Sequence, residues 1–311
     1  MNPAKSKVLL TGATGFLGSH LLAGLLSSGY SVVVVKRSSS NPARIANHLS
    51  RITAYDLDRV PLKAAFERAP IDAVIHAATA YGRKGESSEE VDATNVVFGT
   101  ELLETAAAAG VPTFMNTGTF SAKGAGLPDG LSHYVRTKRQ FSEIGARFAA
   151  SSRIAFMELQ LEHVYGPADG ETKFVPTLLG AFIEGRAAFD LTRGAQLRDF
   201  VYVDDVVAAY LRVLERRADC AGPSQHFQVG SGEAVALADF VRLAREVVGS
   251  ATKLNFGALP DRPGEAPHSV ADISALRRLG WAPQVSLREG LVRTVRAMRE
   301  ARPAGAMRRT S

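Results

Sequence analysis

The chain has 311 residues, enough for one large α/β unit or two modest domains with full cores and no stapling metal or disulfide. With 46% hydrophobic and 22% charged residues it reads as neither disordered nor fibrous; its one cysteine, Cys220, cannot form an intrachain disulfide and reads as structural. The net charge of +6 comes from basic residues spread along the chain, so no nucleic-acid partner is expected; the densest group, Arg299, Arg302, Arg308 and Arg309, reads as a solvated terminus.

The apolar run before Thr11-Gly12 is only Val8 to Leu10. That is too short for a signal or membrane segment, so a cytoplasmic location and no membrane partner are expected. Short β-branched runs then alternate with longer amphipathic stretches, the pattern of a parallel sheet covered by helices. Strands are expected at 7–10, 31–35, 52–57, 73–76, 113–117 and 154–159. Leu17, Leu21, Leu22, Leu25 and Leu26 mark the buried face of a first helix, and Leu102, Leu103, Ala106 and Ala107 mark a later one.

This layout is doubly wound α/β. After Leu161 the rhythm is irregular, broken by Gly166-Pro167 and by Pro260, Pro263 and Pro267. One regular unit interrupts it: Asp199 to Val203 reads as a strand, and Asp204 or Asp205 as the cap of a helix through Val206, Val207, Tyr210, Leu211 and Leu214. The expected division is a first domain at 1–161 that also receives about 195–218, with a smaller, partly discontinuous α/β region built from 162–194 and 219–311.

Thr11-Gly12-Ala13-Thr14-Gly15-Phe16-Leu17-Gly18 follows the first strand and opens the first helix, the context of a dinucleotide phosphate loop. Glycines let the backbone approach a pyrophosphate, and the helix N-terminus offers free N–H groups and partial positive charge. Gly12, Thr14, Gly15, Phe16, Leu17 and Gly18 are therefore candidate cofactor contacts. The second strand ends Val35-Lys36-Arg37-Ser38, without a carboxylate to accept from a ribose 2′-hydroxyl. Lys36, Arg37 and Ser38 could hold a 2′-phosphate, so NADP is the expected cofactor and NAD the alternative.

Tyr134 and Lys138 stand one helical turn apart on a common face, a spacing that is weak alone and strong beside the glycine loop. A free phenol titrates near ~10 and is a poor base, but a neighbouring cation favours the phenolate and makes Tyr134 a candidate general acid/base. A hydroxyl at the end of the fifth strand would complete the site, from Thr117, Thr119 or Ser121.

The Gly-x-x-Gly-x-x-Gly spacing resembles the extended short-chain dehydrogenase/reductase family, also called the NAD-dependent epimerase/dehydratase family, and later motifs extend the resemblance over nearly the whole chain. It implies a Rossmann domain, Thr119 as the matching hydroxyl with Ser121 as fallback, and Lys138 as a partner of the nicotinamide ribose as well. It further implies that Asp56 and Leu57 contact adenine, that Ala77 and Ala78 contact the cofactor's backbone, and that Asn95 helps to order the site. His76 reads as a packed core histidine. His163-Val164-Tyr165-Gly166-Pro167 resembles the family's Asn-Val-Tyr-Gly-Pro, with histidine in the place of the asparagine that approaches the substrate diphosphate. Arg198 to Asp205 and Arg262-Pro263-Gly264-Glu265 resemble segments whose arginine faces that diphosphate, a group suited to a guanidinium fork. Trp281 reads as packing.

Dehydratases of this family carry an acidic pair where Phe120 and Ser121 stand, so hydride transfer is the expected chemistry. Asn116 to Thr119 and Tyr134 to Phe141 look like the CDP-abequose/CDP-paratose synthase branch of nucleotide-sugar 4-ketoreductases. The resemblance implies hydride delivery from NADPH to a keto carbon while Tyr134 protonates the oxygen and Thr119 bonds it. The rival readings are an NAD-retaining nucleotide-sugar epimerase, a reductase of ketones outside sugar nucleotides, and a retired enzyme that binds NADP as a sensor or scaffold. A homodimer is a further expectation from the resemblance, and no metal is expected.

Overall fold

The computed structural model describes residues 5–83, 85–123, 132–220, 222–262 and 264–302. Pro263, Arg308 and Arg309 lie outside them. The first half alternates as expected, with β1 (Lys5–Thr11), α1 (Phe16–Ser27), β2 (Tyr30–Lys36), β3 (Thr53–Asp56), α2 (Ala64–Glu67), β4 (Ala73–His76), α3 (Ser88–Asp92), α4 (Phe98–Ala108), β5 (Thr113–Thr119), α5 (Ser132–Ala150) and β6 (Ala155–Leu161). The second half holds β7 (His163–Tyr165), α6 (Phe174–Ile183), β8 (Ala188–Leu191), β9 (Leu197–Arg198), β10 (Phe200–Tyr202), α7 (Val203–Glu215) and β11 (Ser224–Val229). It closes with β12 (Val235–Ala236), α8 (Leu237–Val248), β13 (Lys253–Phe256), β14 (His268–Ser269), α9 (Ser274–Arg278) and α10 (Leu287–Glu300).

Seven parallel strands form one sheet in the order β11-β6-β5-β4-β1-β2-β3. Its apolar runs are continuous because helices cover both faces: Leu10, Ile75, Met115 and Leu159 bury towards α1 and α7, and Leu9, Val74, Phe114 and Phe156 towards α4 and α5. The chain changes direction between β1 and β4, where an open α/β sheet has a crevice at its carboxyl edge. Thr11, His76 and Thr119 end their strands at that edge.

A third core gathers Tyr165, Leu178, Phe182, Phe200, Tyr202, Phe240 and Leu291 in the smaller region, where Phe200 stacks on Phe240 at 3.9 Å. Two details differ from the sequence division. Strand β11, placed beyond 219 in the smaller region, is the edge strand of the large sheet, because Phe227 and Val229 bury in its core. Helix α7 starts at Val203 after Tyr202, without a side-chain cap; Asp205 instead accepts the backbone N–H groups of Gln284 (2.9 Å) and Val285 (3.0 Å), tying the late segment to α7. The same helix lies against α1, where Gly24 leaves the space that Val207 fills.

Candidate active site

The glycine loop closes against the end of β4. Gly12 has φ +68°, and a Cβ there would stand 2.6 Å from the Ala77 carbonyl carbon and the Ala78 nitrogen, so only glycine fits. A side chain at Gly18 would overlap the Gly12 carbonyl. Thr11 Oγ1 accepts from Ala77 N and Ala78 N, both at 3.1 Å, which fixes the two loops relative to one another. Its hydroxyl hydrogen is then free to donate to His76 Nδ1 at 2.9 Å. Helix α1 begins after Gly15 with no side-chain cap and no acidic residue in its first turn, leaving an N-terminus suited to an anion. The strand-to-helix turn thus fits a dinucleotide pyrophosphate. Phe16 and Leu17 pack at the start of α1, with the Lys173 ammonium 5.2 Å from the Phe16 ring, and Arg44 donates to the carbonyls of Thr14 (3.4 Å) and Ala168 (3.1 Å).

Beyond β2, the three residues expected at a 2′-phosphate separate. Lys36 Nζ is paired with Asp56 at 2.5 Å, so the carboxylate expected near adenine holds a cation expected near phosphate. Leu57 N donates to the Lys36 carbonyl. Ser38 donates to Asp58 through its backbone N (2.7 Å) and its hydroxyl. The strand end lacks a carboxylate of its own, but Asp58 reaches it from the loop after β3. Arg37 is exposed.

Tyr134, Lys138 and Thr119 come together at the carboxyl edge, each less than 10% exposed. Thr119 ends β5, and its hydroxyl is hydrogen-bonded to the Tyr134 phenol, as are those of Thr79 and Tyr81. Burial pushes the phenol well above its ordinary value, and Tyr81 adds to the rise; the Thr119 and Thr79 hydrogen bonds act in the opposite sense. Burial pushes the Lys138 ammonium down to about 8, against the pull of the Glu158 carboxylate. In the chain without cofactor, desolvation outweighs the other influences on Tyr134. Thr117 is hydrogen-bonded to the Tyr210 hydroxyl at 2.7 Å, and Ser121 lies in the 3-10 turn Phe120–Lys123.

Asn95 sits in a π-helical turn, Ala93–Val97, buried between α3 and α4. Its side chain donates to the Ala80 carbonyl (2.8 Å) and to Thr137 Oγ1 (3.0 Å) and accepts from Ala80 N (2.8 Å) and the Thr79 hydroxyl (3.2 Å). It thereby bolts the loop after β4 to the helix bearing Tyr134. Next to Thr119, the His163 ring lies 4.2 Å from Phe120 and 5.5 Å from Phe200, and burial together with the Arg198 cation depresses its pKa. Arg198 donates to Glu265 at 2.7 Å and to the Leu197 carbonyl at 2.8 Å, while Arg262 is exposed.

The glycine turn and the buried group of Tyr134, Thr119 and Lys138 thus share the carboxyl edge of the sheet, with His163 against Phe120 and Arg198 acting on His163. Residues 8–230 match the family described as NAD dependent epimerase/dehydratase. The chain belongs to that family. It is an NAD(P)-dependent oxidoreductase of the extended short-chain dehydrogenase/reductase type. Among curated relatives, a CDP-abequose synthase of Salmonella typhimurium is 36% identical over 92% of this chain and 96% of its own length; one from Salmonella muenchen is 32% identical over 96% and 100%. Among solved structures, a Thermotoga maritima UDP-glucose 4-epimerase with UDP-glucose has a TM-score of 0.81 at 27% identity, covering 94% of this chain and 99% of its own. A Bacillus cereus UDP-glucuronic acid 4-epimerase in complex with UDP-glucuronic acid and NAD has the same score at 25% identity and the same coverage.

Within this family frame, sequence reasoning missed Tyr81, whose ring lies 4.7 Å from that of Tyr134, and Thr79 beside it. Both follow β4 directly, and a polar, aromatic stretch at the switch point of a doubly wound sheet was the available signal. Glu158 and Lys173 were missed as well. Each belongs to a segment whose expected role was packing or connection, and only the fold brings them to the site.

Proposed function

We propose that this protein reduces a keto group, at C4, of a nucleotide-activated deoxy sugar, with NADPH as reductant. The observation that carries the reading is the relation to two CDP-abequose synthases over more than nine-tenths of the chain. Phe120 and Ser121 in place of an acidic pair support it by leaving no second acid/base beside Thr119.

The nicotinamide, when bound, supplies the hydride. The glycine loop and the α1 N-terminus hold the pyrophosphate, and the exposed Arg37 is the cation for the 2′-phosphate, because Lys36 is held by Asp56. Tyr134 gives its proton to the developing alkoxide, Thr119 donates a hydrogen bond to the same oxygen, and Lys138 holds the ribose and stabilises the phenolate left behind. A phenol pushed up by burial is protonated at neutral pH, the state a reductase needs before turnover. Arg198, His163 and Arg262 form the side that takes the nucleotide diphosphate.

The test is NADPH oxidation with 4-keto nucleotide sugars carrying different bases, with NADH and Arg37→Ala run in parallel. Net oxidation that depends on the nucleotide is expected, as is a preference for NADPH that Arg37→Ala weakens. The epimerase relatives among solved structures favour one second reading, an epimerase that keeps its cofactor. It would consume no NADPH while interconverting hydroxyl epimers, and that outcome sinks the reductase.

A further inference from the structure

We propose that Glu158 is the buried counter-charge and positioning residue of Lys138. The inference deepens the catalytic assignment above and rests on it for the role of Lys138.

Five neighbouring strands place polar side chains in one row on the α5 face of the sheet. The register pairs Thr11 with His76, His76 with Asn116, Asn116 with Glu158 and Glu158 with His226. The same face is otherwise aromatic and aliphatic, with Val74, Phe114, Phe141 and Phe156 beneath. A carboxylate so placed is expensive unless it meets a cation and hydrogen-bond donors. Glu158 is 6% exposed, and the chain makes room for it on purpose-shaped surroundings. Any side chain at Gly118, on the neighbouring strand, would overlap Glu158 Oε1. The other oxygen accepts a hydrogen bond from Ser142 Oγ on α5. Ser142 lies one helical turn beyond Lys138 on that helix, so the bond sets the carboxylate against the face that carries the ammonium.

Three titratable groups bear on Lys138. Tyr134 is one turn before it on α5, His76 is buried on β4 with a pKa depressed to about 3 by burial and by Lys138 itself, and Glu158 is on β6. His226, next to Glu158 in register, is exposed. Glu158 is the one partner of these that favours the ammonium. Without it, burial acts unopposed and Lys138 loses its proton within the working pH range, removing the cation that stabilises the Tyr134 phenolate.

The test is Glu158→Gln, which keeps shape and hydrogen bonding and removes the charge, read in two ways. First, 13Cε-lysine NMR follows the titration midpoint of Lys138, assigned by its disappearance in Lys138→Met and requiring no substrate. Second, kcat against pH locates the alkaline limb. We expect both to move down by about one pH unit or more, with KM for the sugar nucleotide changed less than twofold. Ser142→Ala, which frees the carboxylate without removing it, shifts both in the same direction by less and covers the case in which Glu158→Gln fails to fold. An unchanged Lys138 midpoint in the folded variants overturns the proposal, as does an unmoved alkaline limb in an enzyme that turns over. If the wild-type protein reduces no keto sugar, the functional reading fails while the NMR midpoint still decides this one.

Discussion

The Arg198 guanidinium donates to the Glu265 carboxylate at 2.7 Å, so that two segments 67 residues apart, each expected to present an arginine to a diphosphate, are joined by an ion pair of their own. The Arg198 side chain is only 7% exposed and that of Glu265 21%, so the pair is largely desolvated. Removing one partner leaves a buried charge. Glu265→Gln is expected to cost roughly 3 kcal/mol of stability. An anionic ligand that reaches Arg198 replaces the lost charge, so a nucleoside diphosphate should raise the melting temperature of the variant more than that of the wild type. Equal shifts in a thermal unfolding series would disconnect Arg198 from the diphosphate.

The hydrogen bond from Thr119 to Tyr134 leads to a second expectation. Tyr134→Phe removes the proton donor and is expected to lower kcat by about 10² to 10⁴. Thr119→Val removes one stabilising donor and is expected to lower kcat by about 10² to 10³. Cofactor affinity, followed by NADPH fluorescence, should stay within a few-fold in both. Ser121→Ala is the contrast, because Ser121 lies beyond the strand in the following turn. A loss of activity in Ser121→Ala as large as that in Thr119→Val would transfer the hydroxyl role to Ser121.

Asn95 holds the loop after β4 to α5 through four hydrogen bonds, to Ala80 twice, to Thr79 and to Thr137. Asn95→Leu leaves buried backbone groups of Ala80 unsatisfied, and roughly 3 kcal/mol of destabilisation is expected. Thr79 and Tyr81, which the loop carries to Tyr134, should lose their positions too, so kcat falls more than the melting temperature alone explains. Chemical denaturation and steady-state kinetics on the same preparation check this. A fully active variant would reduce Asn95 to packing.

How much of this was legible before the structure follows from how local each signal is. Val8 to Leu10 and Val32 to Val35 announce strands buried on both faces, and Gly12, Gly15 and Gly18 announce a close approach, because both depend on neighbouring residues. Ser224 to Val229 hides its strand character, since four of its six residues are polar and only Phe227 and Val229 reach the core. Lys36 and Asp56 read as separate contacts because their ion pair spans two strands. Glu158 passes as one more residue of a strand until Gly118 and Ser142 are seen around it. Pairings between distant segments carry no local pattern.

His76 makes the last prediction, on stability against pH. Thr11 Oγ1 accepts from Ala77 N and Ala78 N and so donates to His76 Nδ1, which places the ring's own hydrogen on Nε2, among Phe98, Phe114 and Phe141. Burial, with the Lys138 cation, depresses the pKa from 6.5 to about 3. In the unfolded chain the ring takes up a proton below about 6.5, whereas the folded ring stays neutral until about 3. Between those values the unfolded state binds more protons, so stability is complete above about 6.5 and falls as the pH drops, levelling off below about 3. From pH 6.5 to 5 the expected loss is about 2 kcal/mol. His163, also depressed by burial, contributes in the same direction and remains when His76 is replaced. Urea unfolding of wild type and His76→Gln at pH 7 and pH 5 checks the assignment, and the variant should show the smaller pH difference. Identical differences in the two proteins would mean that His76 takes up its proton without unfolding the core around it.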